Sequence, residues 1–257
     1  MSLMEQYVAF MTILRKEIRR YLRIWTQTLL PSAITMSLYF VIFGSLIGSR
    51  IGEMGGFSYM QFVVPGLIMM AIVTNSYSNV VSSFFGSKFN HSVEELLVSP
   101  VPNYVILMGY VLGGVTRGFL VAVVVTCVSL FFTSLQIHSY LVVVLIVLMT
   151  STLFALAGFI NAVYANSFDD ISIIPTFVLT PLIYLGGVFY SMDLLPEFWA
   201  NVSKLNPLVY VVNAFRYGVL GVSDVSLPFA LGMITLFTAV AFAYSMHLLN
   251  SGKRLRQ

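Results

Sequence analysis

Tyr140-Leu141-Val142-Val143-Val144-Leu145-Ile146-Val147-Leu148-Met149 opens a run that reaches Tyr164 without a charged residue. A helix crossing the hydrocarbon of a bilayer needs about 20 apolar residues. Five further runs qualify on either side of it: Leu29–Ile47, Tyr59–Ser82, Val115–Leu135, Ile171–Tyr190 and Leu227–Leu249. Charged residues are 9% and hydrophobic ones 58% of the 257, with mean hydropathy +0.92; a soluble domain averages about 25% charged. The expected fold is therefore all-α, a polytopic membrane protein with six transmembrane helices. They consume nearly the whole chain, so 1–257 reads as one membrane domain with no room for a soluble catalytic one. The single cysteine, Cys127, excludes an internal disulfide and a cysteine-based zinc site, and its place in an apolar run predicts a small core residue.

Residues 1–28 carry charges throughout and the run after them is too long for a signal h-region, so the first span should be retained. In this segment Met4, Tyr7, Val8, Met11, Leu14, Ile18, Tyr21, Leu22 and Trp25 recur at three- and four-residue steps. They form one helical stripe with Lys16, Arg19, Arg20 and Arg23 facing away. Such a helix suits the headgroup plane, apolar face down and cations near anionic lipid; packing on a partner protein is the alternative. Cations also set the orientation. Arg15, Lys16, Arg19, Arg20, Arg23, Lys88, Lys253, Arg254 and Arg256 fall on the N-terminal side of the membrane, against Arg50, Lys204 and Arg216 on the other. Both termini are thus expected in the cytoplasm. The basic residues are not interleaved with exposed aromatics, so no nucleic-acid face is expected.

After the second span, Ser92-Val93-Glu94-Glu95 fits a capping box, with Ser92 as N-cap and Glu95 reaching back from the third helical position. Ser99, preceding Pro100, is biased away from helical dihedrals. The product is a two-turn helix, Val93–Val98, that exposes Leu96 and Leu97 beside two carboxylates. It can dock a cytoplasmic partner or lie on the bilayer. On the other side, 191–220 is apolar and aromatic where a plain connection would be polar. Pro196 opens one short helix there, Asn206-Pro207 opens another, and Gly218 ends it near Tyr217. Two half-helices re-entering from the outer face fit this pattern, as does an apolar Ω-loop.

Arg117 is the one charge within a span; it pairs, snorkels or marks an aqueous surface. If its helix begins near Tyr104, Arg117 falls near the cytoplasmic headgroups. Gly109/Gly113 and Gly114/Gly118 around it are small-residue pairs suited to close helix packing. Every Asp and Glu lies outside the apolar runs, Glu17 included, whereas an ion-coupled carrier keeps a carboxylate at its midplane. Asp169-Asp170 reads as a solvated N-terminal cap. His91, His138 and His247 are isolated, no metal ligand set is expected, and no phosphate-binding glycine motif occurs. A protein so built asks for an energising partner.

Val93-Glu94-Glu95-Leu96-Leu97-Val98-Ser99-Pro100-Val101-Pro102, Leu205-Asn206-Pro207-Leu208-Val209-Tyr210 and Phe215-Arg216-Tyr217-Gly218 resemble the membrane subunit of ABC-2-type ABC transporters. Phe57-Ser58-Tyr59-Met60-Gln61-Phe62, Val64-Pro65-Gly66-Leu67 and Phe168-Asp169-Asp170-Ile171-Ser172 are similar to the YadH-type inner-membrane permeases of that family. The resemblance spans the chain. It implies a fold like the type V ABC exporters: an N-terminal connecting helix (1–28), a coupling helix (92–100) and an outer re-entrant segment (191–220). It implies coupling through Ser92, Glu94, Glu95, Leu96 and Leu97, and outer-gate roles for Asn206, Pro207 and Arg216. It further implies a bacterial inner membrane, two cytoplasmic ATP-binding subunits that hold ATP and magnesium, a second permease copy, surrounding lipids, and no cofactor on this chain. The function expected is the permease of an ATP-driven exporter of an amphipathic, lipid-linked or drug-like molecule, with no catalytic site of its own. The alternative is a secondary carrier or channel working without an ATPase.

Overall fold

A computed structural model describes residues 1–252; the C-terminal cations Lys253, Arg254 and Arg256 lie outside them. Ten helices carry the chain among the described residues: α1 (Leu3–Arg23), α2 (Trp25–Ile51), α3 (Tyr59–Phe89), α4 (Ser92–Val98), α5 (Asn103–Ser129), α6 (Tyr140–Tyr164), α7 (Asp170–Tyr184), α8 (Glu197–Ser203), α9 (Pro207–Leu220) and α10 (Leu227–Ser251). A two-stranded hairpin, β1 (Glu53–Met54) with β2 (Phe57–Ser58), joins α2 to α3, pairing Glu53 with Ser58.

Five of these helices, α2, α3, α5, α6 and α10, are long and apolar enough to cross a membrane. The sixth expected span is shorter than predicted. α7 stops at Tyr184 instead of Tyr190, and at 1.5 Å per residue it extends only about 22 Å. Pro175 and Pro181 lack the N–H that an α-helix needs, and a π-helical stretch, Pro175–Leu179, absorbs the mismatch. Gly187, at φ +73°, then turns the chain away. The third span also shifts: α5 occupies Asn103–Ser129 instead of Val115–Leu135, running back over Gly109, Gly113 and Gly114 to a start just after Pro102.

α3 is the centre of the bundle. Its most apolar window is 78% buried, against 12% for α2 and 11% for α10, which are peripheral. Serine 58 and Gln61 start α3 with a reciprocal capping box. Phe84 packs at a tilt against Phe159 of α6 and lies edge-on to Tyr110 of α5. The glycines of α5 bring its neighbours close. Cβ atoms built at Gly109 and Gly113 would lie 2.5 and 2.6 Å from Ile13 and Glu17 of α1, and one at Gly114 would lie 2.7 Å from Val80 of α3. The small-residue pairs are thus spent inside the subunit.

That docking leaves most of the predicted apolar stripe of α1 outward. Its buried residues are Ile13, Glu17 and Tyr21, whereas Met4, Tyr7, Val8, Leu22 and Trp25 of the predicted stripe are exposed. The helix packs on the α5 glycines through Ile13 and Glu17, buries Tyr21 of the stripe, and leaves the rest of the stripe outward, the arrangement a lipid-facing helix needs. Cys127 is also exposed and not a core residue.

Candidate functional site

The predicted site residues separate into two groups at opposite ends of α3. One end gathers α4, the start of α1, the start of α5 and the end of α10. Tyr104 bonds Gln6 there, and Asn103 Nδ2 donates to Asn250 Oδ1 at 2.8 Å. The other end gathers the β-hairpin, the 185–206 segment and α9.

α4 forms where expected, Ser92–Val98, but its cap is different. His91, at φ 60°, is the N-cap and makes no side-chain cap bond. The capping box of Ser92 with Glu95 does not form: one residue of helix starts earlier, and the Ser92 hydroxyl donates instead to the Ser87 carbonyl at 3.0 Å. This bond ties α4 to the last turn of α3. Leu96 and Leu97 are half-buried against the core and not exposed; the exposed apolar side chain is Val98, at 82%, with Glu95 beside it. Glu94 is half-buried and 3.4 Å from the His91 ring. Ser99 is extended, at ψ 155°, as its proline demands.

Lys88 anchors the same end. It is 3% exposed, and its Nζ donates to Val163 O at 2.9 Å and Ala165 O at 2.8 Å. The orphan carbonyls at the end of α6 are thereby capped by a cation, the favourable sign for that pole of the helix dipole. Phe168 packs on Phe85 and Phe89, both with centroids at 5.0 Å. Asp170 caps locally: its Oδ2 accepts from the Asn166 and Ser167 amides, while Ser167 Oγ accepts the Asp170 amide. Asp169 takes no part in those bonds.

Glu17 overturns the expectation that every carboxylate stays outside the bundle. It is fully buried; Ser83 Oγ donates to its Oε1 at 2.6 Å, and Arg20 lies 3.2 Å from its Oε2. Arg20 also donates to Asn79 Oδ1 at 2.9 Å. One turn along α5 from Gly113, which faces Glu17, Arg117 is paired: its Nη2 donates to Asn75 Oδ1 at 2.9 Å. The Asn75/Asn79 spacing on one face of the second span was the available signal. Glu17 had none, because it lies on a helix outside every span.

At the other end, Asn206 and Pro207 open α9 as predicted. Asn206 Oδ1 accepts the Leu208 amide at 3.0 Å, and its Nδ2 donates to Leu182 O at 2.7 Å. Gly218 does not end the helix; it is buried against Val142 and Val143 of α6, and Gly221, at φ +78°, is the terminating residue. Arg216 is fully buried on α9 with its guanidinium 3.8 Å from the centroid of the Phe62 ring. Its Nη2 donates to Gly187 O at 2.6 Å. The turn that ends α7 is therefore held by α9.

A family model described as "ABC-2 type transporter" matches residues 8–220. The chain belongs to the ABC-2 type transporter family. This permease is 57% identical over 250 residues to "Inner membrane transport permease YadH" of Escherichia coli (strain K12), covering 97% of this chain and 98% of that protein. It is 23% identical over 251 residues to "Nodulation protein J" of Neorhizobium galegae, covering 96% and 94%. It is a multi-pass inner-membrane transport permease.

Proposed function

We propose that this permease forms half of the membrane pathway of an ATP-driven exporter, working with two cytoplasmic ATP-binding subunits and a second permease copy. ATP and magnesium are held by those subunits; this chain binds no cofactor and performs no bond chemistry. Both termini face the cytoplasm. The observation that carries the reading is α4, a short helix tied to α3 by the Ser92–Ser87 bond and presenting Glu95 and Val98 outward. A rigid protrusion continuous with the central helix transmits a push from a partner to the core. Glu94, Glu95, Leu96 and Leu97 belong to this coupling element, Leu96 and Leu97 seating it on the bundle. Asn206, Pro207 and Arg216 hold the outer gate, with α8 and α9 as its re-entrant helices.

An amphipathic, lipid-linked or drug-like substrate fits the apolar lateral surface. A groove of about 370 Å³ between α6, α7 and α10 is lined by residues such as Phe154, Leu182, Phe237 and Tyr244. A carrier working without an ATPase is disfavoured because the buried carboxylate, Glu17, is already neutralised by Arg20. Purified permease alone should hydrolyse no ATP, and co-expression with its ATP-binding subunit should yield a vanadate-sensitive complex. Turnover by the isolated chain would sink the proposal, as would ATPase-independent, proton-driven transport in vesicles.

A further inference from the structure

The outer end of the bundle encloses a cavity of about 480 Å³ between the β1–β2 turn, the 191–194 turn and the 222–224 loop, with Phe62 and Arg216 lining its inner side. Its charge is divided by depth. Arg216 has no exposed surface, and apart from the bond of Nη2 to Gly187 O its nitrogens Nε and Nη1 have no partner. Each edge of the guanidinium thus keeps a free N–H in a desolvated place, where an unmet donor is costly. Glu53, Asp193 and Asp224 line the rim and are exposed. Asp224 is engaged, accepting from Ser191 Oγ at 2.9 Å and the Met192 amide at 2.8 Å. Among the described residues, the carboxylates of Glu53 and Asp193 make no such bond.

One guanidinium stands against three carboxylates. A simple anion is repelled by the rim, and a simple cation leaves the guanidinium unpaired. We infer that the cavity binds a zwitterionic group, a phosphate or carboxylate that pairs with Arg216 and carries an ammonium a few bonds away among the rim carboxylates. The β1–β2 turn beside the cavity is loosely packed at its tip. Gly55 and Gly56 adopt φ of +61° and +82°, and a Cβ at either would meet nothing within 4 Å. This site does not depend on what powers transport.

The shared chemistry has two sources, the headgroup of a phosphatidylethanolamine or a free small zwitterion, and O-phosphoethanolamine probes both. The full chain in phosphatidylglycerol nanodiscs should bind O-phosphoethanolamine on the order of tenfold more tightly than inorganic phosphate or ethanolamine. Arg216→Gln should abolish saturable binding. The exposed pair Glu53→Gln with Asp193→Asn, which leaves the core untouched, should remove the preference over phosphate. Replacing the lipid with phosphatidylethanolamine separates the sources: a lost apparent affinity means the lipid headgroup already occupies the site, and an unchanged one means a free zwitterion. Equal binding of phosphate and O-phosphoethanolamine by the wild type, or unaltered preference in the rim double variant, overturns the inference.

Discussion

Val98 and Leu97 are neighbours on α4 with opposite surroundings, one 82% exposed and the other half-buried against the core. A docking partner that covers Val98 gains up to about 1.5 kcal/mol from its burial. Val98→Asp should therefore leave the permease folded and membrane-inserted while weakening its assembly with the ATP-binding subunit. Leu97→Asp should lower the yield of the permease itself as well, since the charge enters a packed site. Pull-down of the partner, normalised to permease abundance, separates the two effects. If Val98→Asp assembles and transports as wild type does, α4 is not the docking element.

Helix α1 is seated by two glycines, and the contact at Gly113 has no slack. A methyl there would fall 2.6 Å from the Glu17 Cβ and 3.0 Å from its Cγ. Gly113→Ala should push α1 off α5 at a cost of roughly 1–3 kcal/mol, loosening the Glu17–Ser83 and Arg20–Asn79 bonds together. Faster hydrogen–deuterium exchange across Leu3–Arg23, with α6 unchanged, would report it; equal protection would show that the contact relaxes cheaply. Helix α9 has a similar test in a Cys127→Ala background. Leu205 is 81% exposed, whereas Leu208 through Arg216 are all buried. A membrane-impermeant thiol reagent should label a cysteine at 205 quickly and cysteines at 209, 212 and 215 slowly. Uniformly fast labelling would mean that the segment is an open loop.

Across the whole molecule, burial is uneven in a way that bears on assembly. α3 is nearly enclosed, while α2 exposes Leu30, Ile34, Leu38 and Leu46, and α7 exposes Ile173, Phe177 and Val178. Lipid covers some of this surface. A single bundle whose central helix is filled by Val63, Val64, Leu67 and Ile72 has no room along its own axis for a substrate. In the proposed exporter the pathway runs between two copies, and closed two-fold assembly is the usual solution for identical chains. Native mass spectrometry of the complex should find two permeases; one per complex would place the pathway elsewhere.

Much of this was legible in the chain because the membrane allows so few solutions. Backbone polar groups in hydrocarbon must be satisfied within helices, so apolar run length alone located the spans at Tyr59, Tyr140 and Leu227, and local rules located α4, the Pro196 helix start and the Asn206-Pro207 cap. Local rules failed where a competing tertiary bond was better. The Ser92 hydroxyl bonds Ser87 and not its own helix, and α9 runs on past Gly218, whose missing side chain admits α6. The burial of Glu17, the pairing of Arg117 with Asn75 and the capping of α6 by Lys88 join residues far apart in sequence. No periodicity encodes those contacts. A buried charge is tolerated only where its partners arrive from other helices, so which charges go inside is decided by the packing and not by any one segment.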